Sequence, residues 1–268
     1  TDYDFEGSNL SMLVDILAYN TLYTNYNLNM ASNELNLDTA VLRDNIVSHA
    51  KRLGYNPNSY TSSKVQVDIE VTGLNALQVN RIGLKSGPVL STTNQGKNYT
   101  FVARDPLNLT VSGDTATFRD VELYEGTVFN IRYTVDTSNE NQRFIIPNNY
   151  IDSDSVKVSV KADSTSSTST TYARKNTIVN VSPSDTVFFV EEIQDQQYEV
   201  IFGDDVIGRK LQNGEIVNIQ YVITAGGELN NVKENALKFI GTVEYVDSNN
   251  VAGTVALSNI NFTLSTES

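Results

Sequence analysis

The chain has 268 residues, with 19 Lys and Arg against 32 Asp and Glu, a net charge of -13, one His, and no Cys or Trp. At a prior of ~150 residues per domain this suggests two domains, enough for a real hydrophobic core. Zero Cys excludes disulfides, thiolate nucleophiles and Cys-ligated metals, and a single His excludes a multi-His metal cluster.

Phosphate-backbone binding relies on clustered Lys and Arg, and the densest basic groups here are the pairs Lys51-Arg52, Arg174-Lys175 and Arg209-Lys210, so no nucleic acid is expected. No run approaches the ~18 to 20 apolar residues of a membrane span, and no secretory signal opens the chain. The expectation is a soluble, intracellular chain. Its start at Thr1 rather than Met fits a piece of something longer.

The first sixty residues carry helical periods. Met12, Ile16, Tyr19, Tyr23, Tyr26 and Met30 are spaced 4, 3, 4, 3, 4, the rhythm of a helix that docks lengthwise on another helix. Leu10, Leu13, Val14 and Leu17 form a second stripe. Ser8 is the expected N-cap, and about 22 residues, or ~33 Å, are expected to be helical. A second helix is signalled by Asp38 as N-cap, by Leu42, Ile46, Ala50 and Leu53, and by Gly54 and Pro57 as stops. The segment from Asn58 to Ser63 reads as a linker and hinge.

From Lys64 the period becomes two. Val65, Val67, Ile69 and Val71 alternate with polar residues, as do Phe129, Ile131, Tyr133 and Val135, and again Val156, Val158 and Val160. Further strands are expected at 99–103, 115–121, 186–191, 198–202, 216–223, 242–246 and 260–264. Asn213-Gly214 reads as a tight turn and Ser164 to Thr171 as a loop or hairpin tip. The fold class is α+β, mostly β: an N-terminal helical hairpin followed by β-sandwich-like antiparallel domains. The expected divisions are 1–60 for the hairpin, 61–135 and 136–230 for two β domains, and 231–268 for a further β region or return strands.

The acidic pairs Asp152-Asp154, Glu191-Glu192, Asp204-Asp205 and Asp120-Glu122 could serve a glycosidase only if set ~5 to 9.5 Å apart around a sugar, which adjacency does not establish. Solvated turns are the plainer reading. Asp152-Ser153-Asp154 lacks the Gly and closing Glu of a calcium loop. His49 has no GxSxG partner, and no GxGxxG or GxxxxGK[ST] is present. Gly226-Gly227, followed by Glu228-Leu229-Asn230, reads as a turn. No catalytic residue, cofactor or metal is expected. The Tyr/Met stripe stands out instead: either this chain's own core covers it, or another chain completes a bundle over Met12, Ile16, Tyr19, Tyr23, Tyr26 and Met30.

Asp4-Phe5-Glu6-Gly7-Ser8-Asn9-Leu10, Leu17-Ala18-Tyr19-Asn20, Asn29-Met30-Ala31, Ala40-Val41-Leu42-Arg43-Asp44 and His49-Ala50-Lys51-Arg52-Leu53-Gly54-Tyr55 resemble the large baseplate wedge proteins of T-even-type contractile-tailed phages. Two downstream segments resemble the related baseplate J-like pattern. One is Phe144-Ile145-Ile146-Pro147-Asn148 with Ile151-Asp152 and Ser155-Val156-Lys157-Val158. The other runs from Tyr198 through Phe202-Gly203-Asp204-Asp205-Val206-Ile207-Gly208 to Gly214, Ile216, Tyr221, Thr224 and Gly226. The family usually has Gly where Asp205 stands and often Pro near Leu211. Phe202, Gly203, Asp204, Gly208, Asn213 and Gly214 form the motif turn.

The resemblance implies a virion protein of the tail baseplate, assembled in the host cytoplasm, not an enzyme. It implies dimers, contacts with sister baseplate wedge proteins and with neighbouring wedges in a six-fold ring, and a relay of the rearrangement that releases sheath contraction. The family protein is longer than this chain. A tail-associated receptor-binding adhesin and a cell-wall glycosidase are the alternatives.

Overall fold

The computed structural model describes residues 9–55, 59–193, 196–229 and 236–265. Ser8, Pro57, Asn58 and Asn230, assigned above to a cap, a stop, a linker and a turn, lie outside the described residues. Two compact units are present, one formed by residues 1–57 with 192–195 and the other by 58–191 with 196–268.

In the first unit, α1 (Asn9–Glu34) is 26 residues long, four residues further at its C-terminal end than the Tyr/Met stripe. α2 (Arg43–Arg52) is shorter than expected. Asp38 is not its N-cap. The chain makes a turn ahead of the helix, with the Thr39 and Ala40 amides donating to the Asn36 carbonyl, and Leu42 flanks α2 with extended backbone and no side-chain cap. Glu34 replaces Asp38: Oε1 accepts from the Val41 amide at 3.0 Å and the Leu42 amide at 3.3 Å, and Oε2 from Asn45 Nδ2 at 2.8 Å. An anion there also complements the positive end of the helix dipole. His49 Nε2 meets the Glu34 carbonyl oxygen at 3.0 Å and therefore carries the proton, which ties the last turn of α1 to α2. Gly54 ends α2 as expected, with φ +78°. The Tyr55 amide donates to the Ala50 carbonyl and the Gly54 amide to the Lys51 carbonyl, the two bonds of a Schellman cap.

The second unit contains β1 (Lys64–Val71), β2 (Val79–Leu84), β3 (Gly87–Asn94), β4 (Lys97–Ala103), β5 (Leu107–Thr110), β6 (Ala116–Glu125), β7 (Thr127–Thr134), β8 (Phe144–Ile146) and β9 (Ile151–Lys161). It continues with β10 (Thr170–Arg174), β11 (Val187–Glu192), β12 (Tyr198–Phe202), β13 (Ile216–Ile223), β14 (Lys238–Phe239), β15 (Val243–Asp247), β16 (Ala252–Thr254) and β17 (Ile260–Leu264). Among the described residues three sheets result, in the orders β14-β3-β4-β6-β1-β17, β16-β15-β2-β5 and β7-β13-β9-β10-β11-β12-β8. Among the pairs whose register is described, β10 with β11 is parallel and the others are antiparallel.

The six- and four-stranded sheets enclose one core, containing Val67, Ile69, Val71, Ile82, Leu84, Leu90, Leu123 and Val243. β14, β15 and β17 pair with β3, β2 and β1, so residues after 236 complete this first core. The seven-stranded sheet curls around a second core of Ile146, Ile151, Val158, Phe188, Val200, Val217 and Ile219. Its two edges approach through the Tyr133 hydroxyl, which donates to the Ile145 carbonyl, and a T-shaped contact between Tyr133 and Phe144 at 5.5 Å.

The break between the cores falls at Gly126 rather than after Val135, because β7 pairs along its whole length with β13. Gly126 has φ +130°, and a Cβ there would lie 2.2 Å from the Ile223 carbonyl oxygen, so only glycine lets β6 run directly on into β7.

The period-two alternation appears as burial: Val67, Ile69 and Val71 have no exposed surface while Glu70 faces solvent. Phe129 departs from it. It is 41% exposed on the edge strand, stacked on Tyr221 at 6.0 Å. The described part of the expected linker is no hinge. Ser62 and Ser63 are buried, and the Ser62 amide donates to Asp152 Oδ2 at 3.1 Å.

Candidate partner interface

α1 has two charged residues in 26, Asp15 and Glu34. The six stripe residues are all exposed, from 43% at Met30 to 66% at Tyr26. Tyr19 and Tyr23, one turn apart, tilt against each other at 5.5 Å between ring centroids. Leu10, Leu13, Val14 and Leu17 of the second stripe are exposed as well, as are Leu22 and Leu28, which neither stripe includes. Leu22 stands next to the seam residue Tyr23 and three residues from Tyr19, a spacing that could have placed it in the ridge. A helix apolar on several faces is stable in water only once it is covered. Full coverage of a side chain of this size is worth ~1.5 to 3 kcal/mol, so six of them supply enough to offset a substantial association cost. In α2 only Val47 and Ala50 are buried, while Leu42 and Leu53 of the expected stripe are exposed and Ile46 is half-buried.

The motif turn is architectural. Phe202 packs edge-on against Phe144 at 5.2 Å and Tyr172 at 5.6 Å. A Cβ on Gly203 would fall 2.2 Å from the Gly208 backbone, and one on Gly208 2.8 Å from Val187. Asp204 Oδ1 accepts from the Val206 and Ile207 amides at 3.0 and 2.9 Å, and these bonds hold its carboxyl below the usual range. Asp205 has φ +68°, a left-handed conformation that favours glycine; here its Oδ1 accepts from the Lys210 amide at 2.9 Å. Asn213-Gly214 forms a turn in which only Gly214 has positive φ, +84°, and the Glu215 amide donates to the Gln212 carbonyl. That is a type II pattern leading into β13, not the two-residue hairpin loop the dipeptide suggests.

The acidic pairs have individual structural duties. Asp152 is buried under the segment 59–63, and Asp154 pairs with Arg174 at 2.7 Å. Glu192 bonds Arg43 through both oxygens at 2.9 Å. Asp204 and Asp205 shape their own turn. Asp120 sits at a β-bulge with φ +50°, its amide donating to Asp68 Oδ1 at 2.8 Å. Glu122 accepts from the Tyr124 hydroxyl at 2.7 Å, beside a cavity of about 240 Å³. Burial, then this carboxylate, push the Tyr124 phenol up to about 12, and the Arg104 guanidinium lies 3.8 Å over its ring. Among the described residues no group of His, Asp and Glu could hold a metal ion, and no helix is long and apolar enough to cross a membrane. Sequence reasoning passed over the buried Glu125 and Glu215, since acids outside a recognised motif read as surface.

Residues 1–55 match the family model for the helical domain of gp6-like baseplate wedge proteins, and residues 130–246 match that for the third domain of bacteriophage baseplate wedge protein gp6. The baseplate wedge protein gp6 of Enterobacteria phage T4 is 29% identical over 248 residues, covering 85% of this chain. The chain spans 36% of that relative's length. The first match includes α1 and its exposed ridge, the second the motif turn, and together these likenesses support a bacteriophage baseplate wedge protein.

Proposed function

We propose that the chain is part of a structural, non-enzymatic subunit of a contractile-tail baseplate wedge, assembled in the host cytoplasm and carried in the virion. Its α1 ridge of Met12, Ile16, Tyr19, Tyr23, Tyr26 and Met30 is a seam between chains, pairing two copies and joining them to sister wedge proteins. Wedges built this way close into a six-fold inner ring, whose rearrangement releases sheath contraction. Residues from Thr127 to about 230 are read as its baseplate J-like portion, after a hairpin region at 1–60 and a first β region ending at Gly126, with return strands in 231–268.

The observation that carries this reading is the ridge itself: a long, almost uncharged helix with six large side chains open to solvent and sequence likeness to a wedge helical domain. Native mass spectrometry of the full-length protein with its sister subunits tests it. The double variant Tyr19→Asp with Tyr23→Asp should lose assembly while both β cores remain folded. Unchanged assembly of that variant refutes the seam, and a homotrimer formed by the chain alone points to an adhesin.

A further inference from the structure

Two backbone segments cross between the two β cores and a third lies against both, and Glu125 contacts all three: its carboxylate bonds one crossing, its backbone adjoins the other, and its amide bonds the third segment. The segment 59–63 leads into β1, Gly126 joins β6 to β7, and residues 224–229 carry the chain from β13 to Leu229 in the first core. Glu125, only 4% exposed, accepts from Thr224 Oγ1 at 2.6 Å and from the Ala225 amide at 3.0 Å. Its own amide donates to the Ser63 carbonyl at 2.8 Å, and the Gly126 amide to the Thr100 carbonyl at 2.9 Å. Ser63 Oγ donates to the Gly226 carbonyl at 3.2 Å, linking the segment 59–63 to the crossing at 224–229. From the second core, Asp152 Oδ2 accepts from the Ser62 amide, and the Ser153 amide donates to Ser59 Oγ at 2.6 Å.

Hydrogen bonds to a buried carboxylate are stronger than neutral ones, and the Thr224 hydroxyl, buried beside it, has no water to turn to if the acceptor is removed. The bonding partners of Glu125 are neutral hydroxyl and amide donors from a crossing other than its own. We infer that Glu125 is the positioning residue that locks the two β cores into one rigid lever, so that displacement of either core carries the other with it. This inference stands apart from the baseplate reading, because it concerns only the mechanics of the second unit.

The absence of native Cys permits a clean test in the intact chain. Nitroxide labels on Arg81→Cys in β2 and Ala173→Cys in β10, both exposed positions, report the distance between cores by double electron–electron resonance. The background protein should give one narrow distance distribution. Glu125→Ala should broaden it while β1 and β13 keep their hydrogen-exchange protection, with the 224–226 amides exchanging ~10-fold faster or more. Glu125→Gln, which retains an acceptor oxygen, should restore the narrow distribution. A broad distribution in the background protein, or a narrow one in Glu125→Ala with both cores protected, overturns the inference. If Glu125→Ala loses core protection, the milder Thr224→Val decides by the same criterion.

Discussion

α1 and β13 are both rich in apolar residues, yet those residues do opposite work. In β13, Val217, Ile219, Tyr221 and Val222 are buried between β7 and β9, and the strand is paired along both edges. In α1, every large apolar residue from Leu10 to Met30 is exposed, and the helix satisfies its own backbone hydrogen bonds without neighbours. A strand requires partners for its backbone, so its apolar side chains are enclosed by the same fold. A helix can leave its side chains free for another chain. Apolar character in the strand therefore serves the chain's own core, and in the helix it stays on the surface.

Several substitutions would break or sharpen this contrast. The largest effect is expected from Ile219→Ala, which leaves a cavity in a fully enclosed site and should cost ~2 to 5 kcal/mol in chemical denaturation. Next comes Gly203→Ala, whose methyl group meets the Gly208 backbone and cannot be accommodated without moving it; a loss of ~1 to 3 kcal/mol is expected by the same measurement. Asp205→Ala keeps the left-handed backbone but removes the acceptor for the Lys210 amide, at ~0.5 to 1.5 kcal/mol. Ile16→Ala in the isolated chain should change stability by no more than ~0.5 kcal/mol while weakening association. A large loss of stability from Ile16→Ala would mean that α1 belongs to the chain's own core and would end the contrast.

Glu34 offers a pH test confined to the helical unit. Asn45 first, then the Val41 amide, lower its carboxyl below the ordinary 4.5. A depressed folded value means that its contribution is present above the unfolded value and lost as pH falls through the folded one. Side-chain carbon shifts of Glu34 should therefore titrate below 4.5, with the Val41 and Leu42 amide shifts moving in the same window. Titration at or above 4.5 would remove Glu34 as the cap of α2.

Much of the architecture was readable because burial follows period. The alternations at 65–71 and 156–160 each became a strand with its apolar face enclosed, and the Tyr/Met rhythm became a helix. The short strands β5, β8, β14 and β16 gave no such signal, since two to four residues cannot display a period. The cap of α2 was misplaced because Asp38 is the expected residue type at a fitting position, whereas Glu34 acts from the previous helix. Tertiary folding likewise turned Ser62 and Ser63 from apparent linker residues into a buried strap.

Local pattern determined the helix, the main strands, the Gly54 cap and the lack of thiol or multi-His chemistry, because each depends on neighbours within a few positions. Tertiary structure alone decided that β7 belongs with the second core, that residues after 236 return to the first, and that Glu125 ties together the two crossings between the cores. Those outcomes depend on residues far apart in the chain, such as Glu125 and Thr224, whose donors and acceptors find each other only after both sheets have closed.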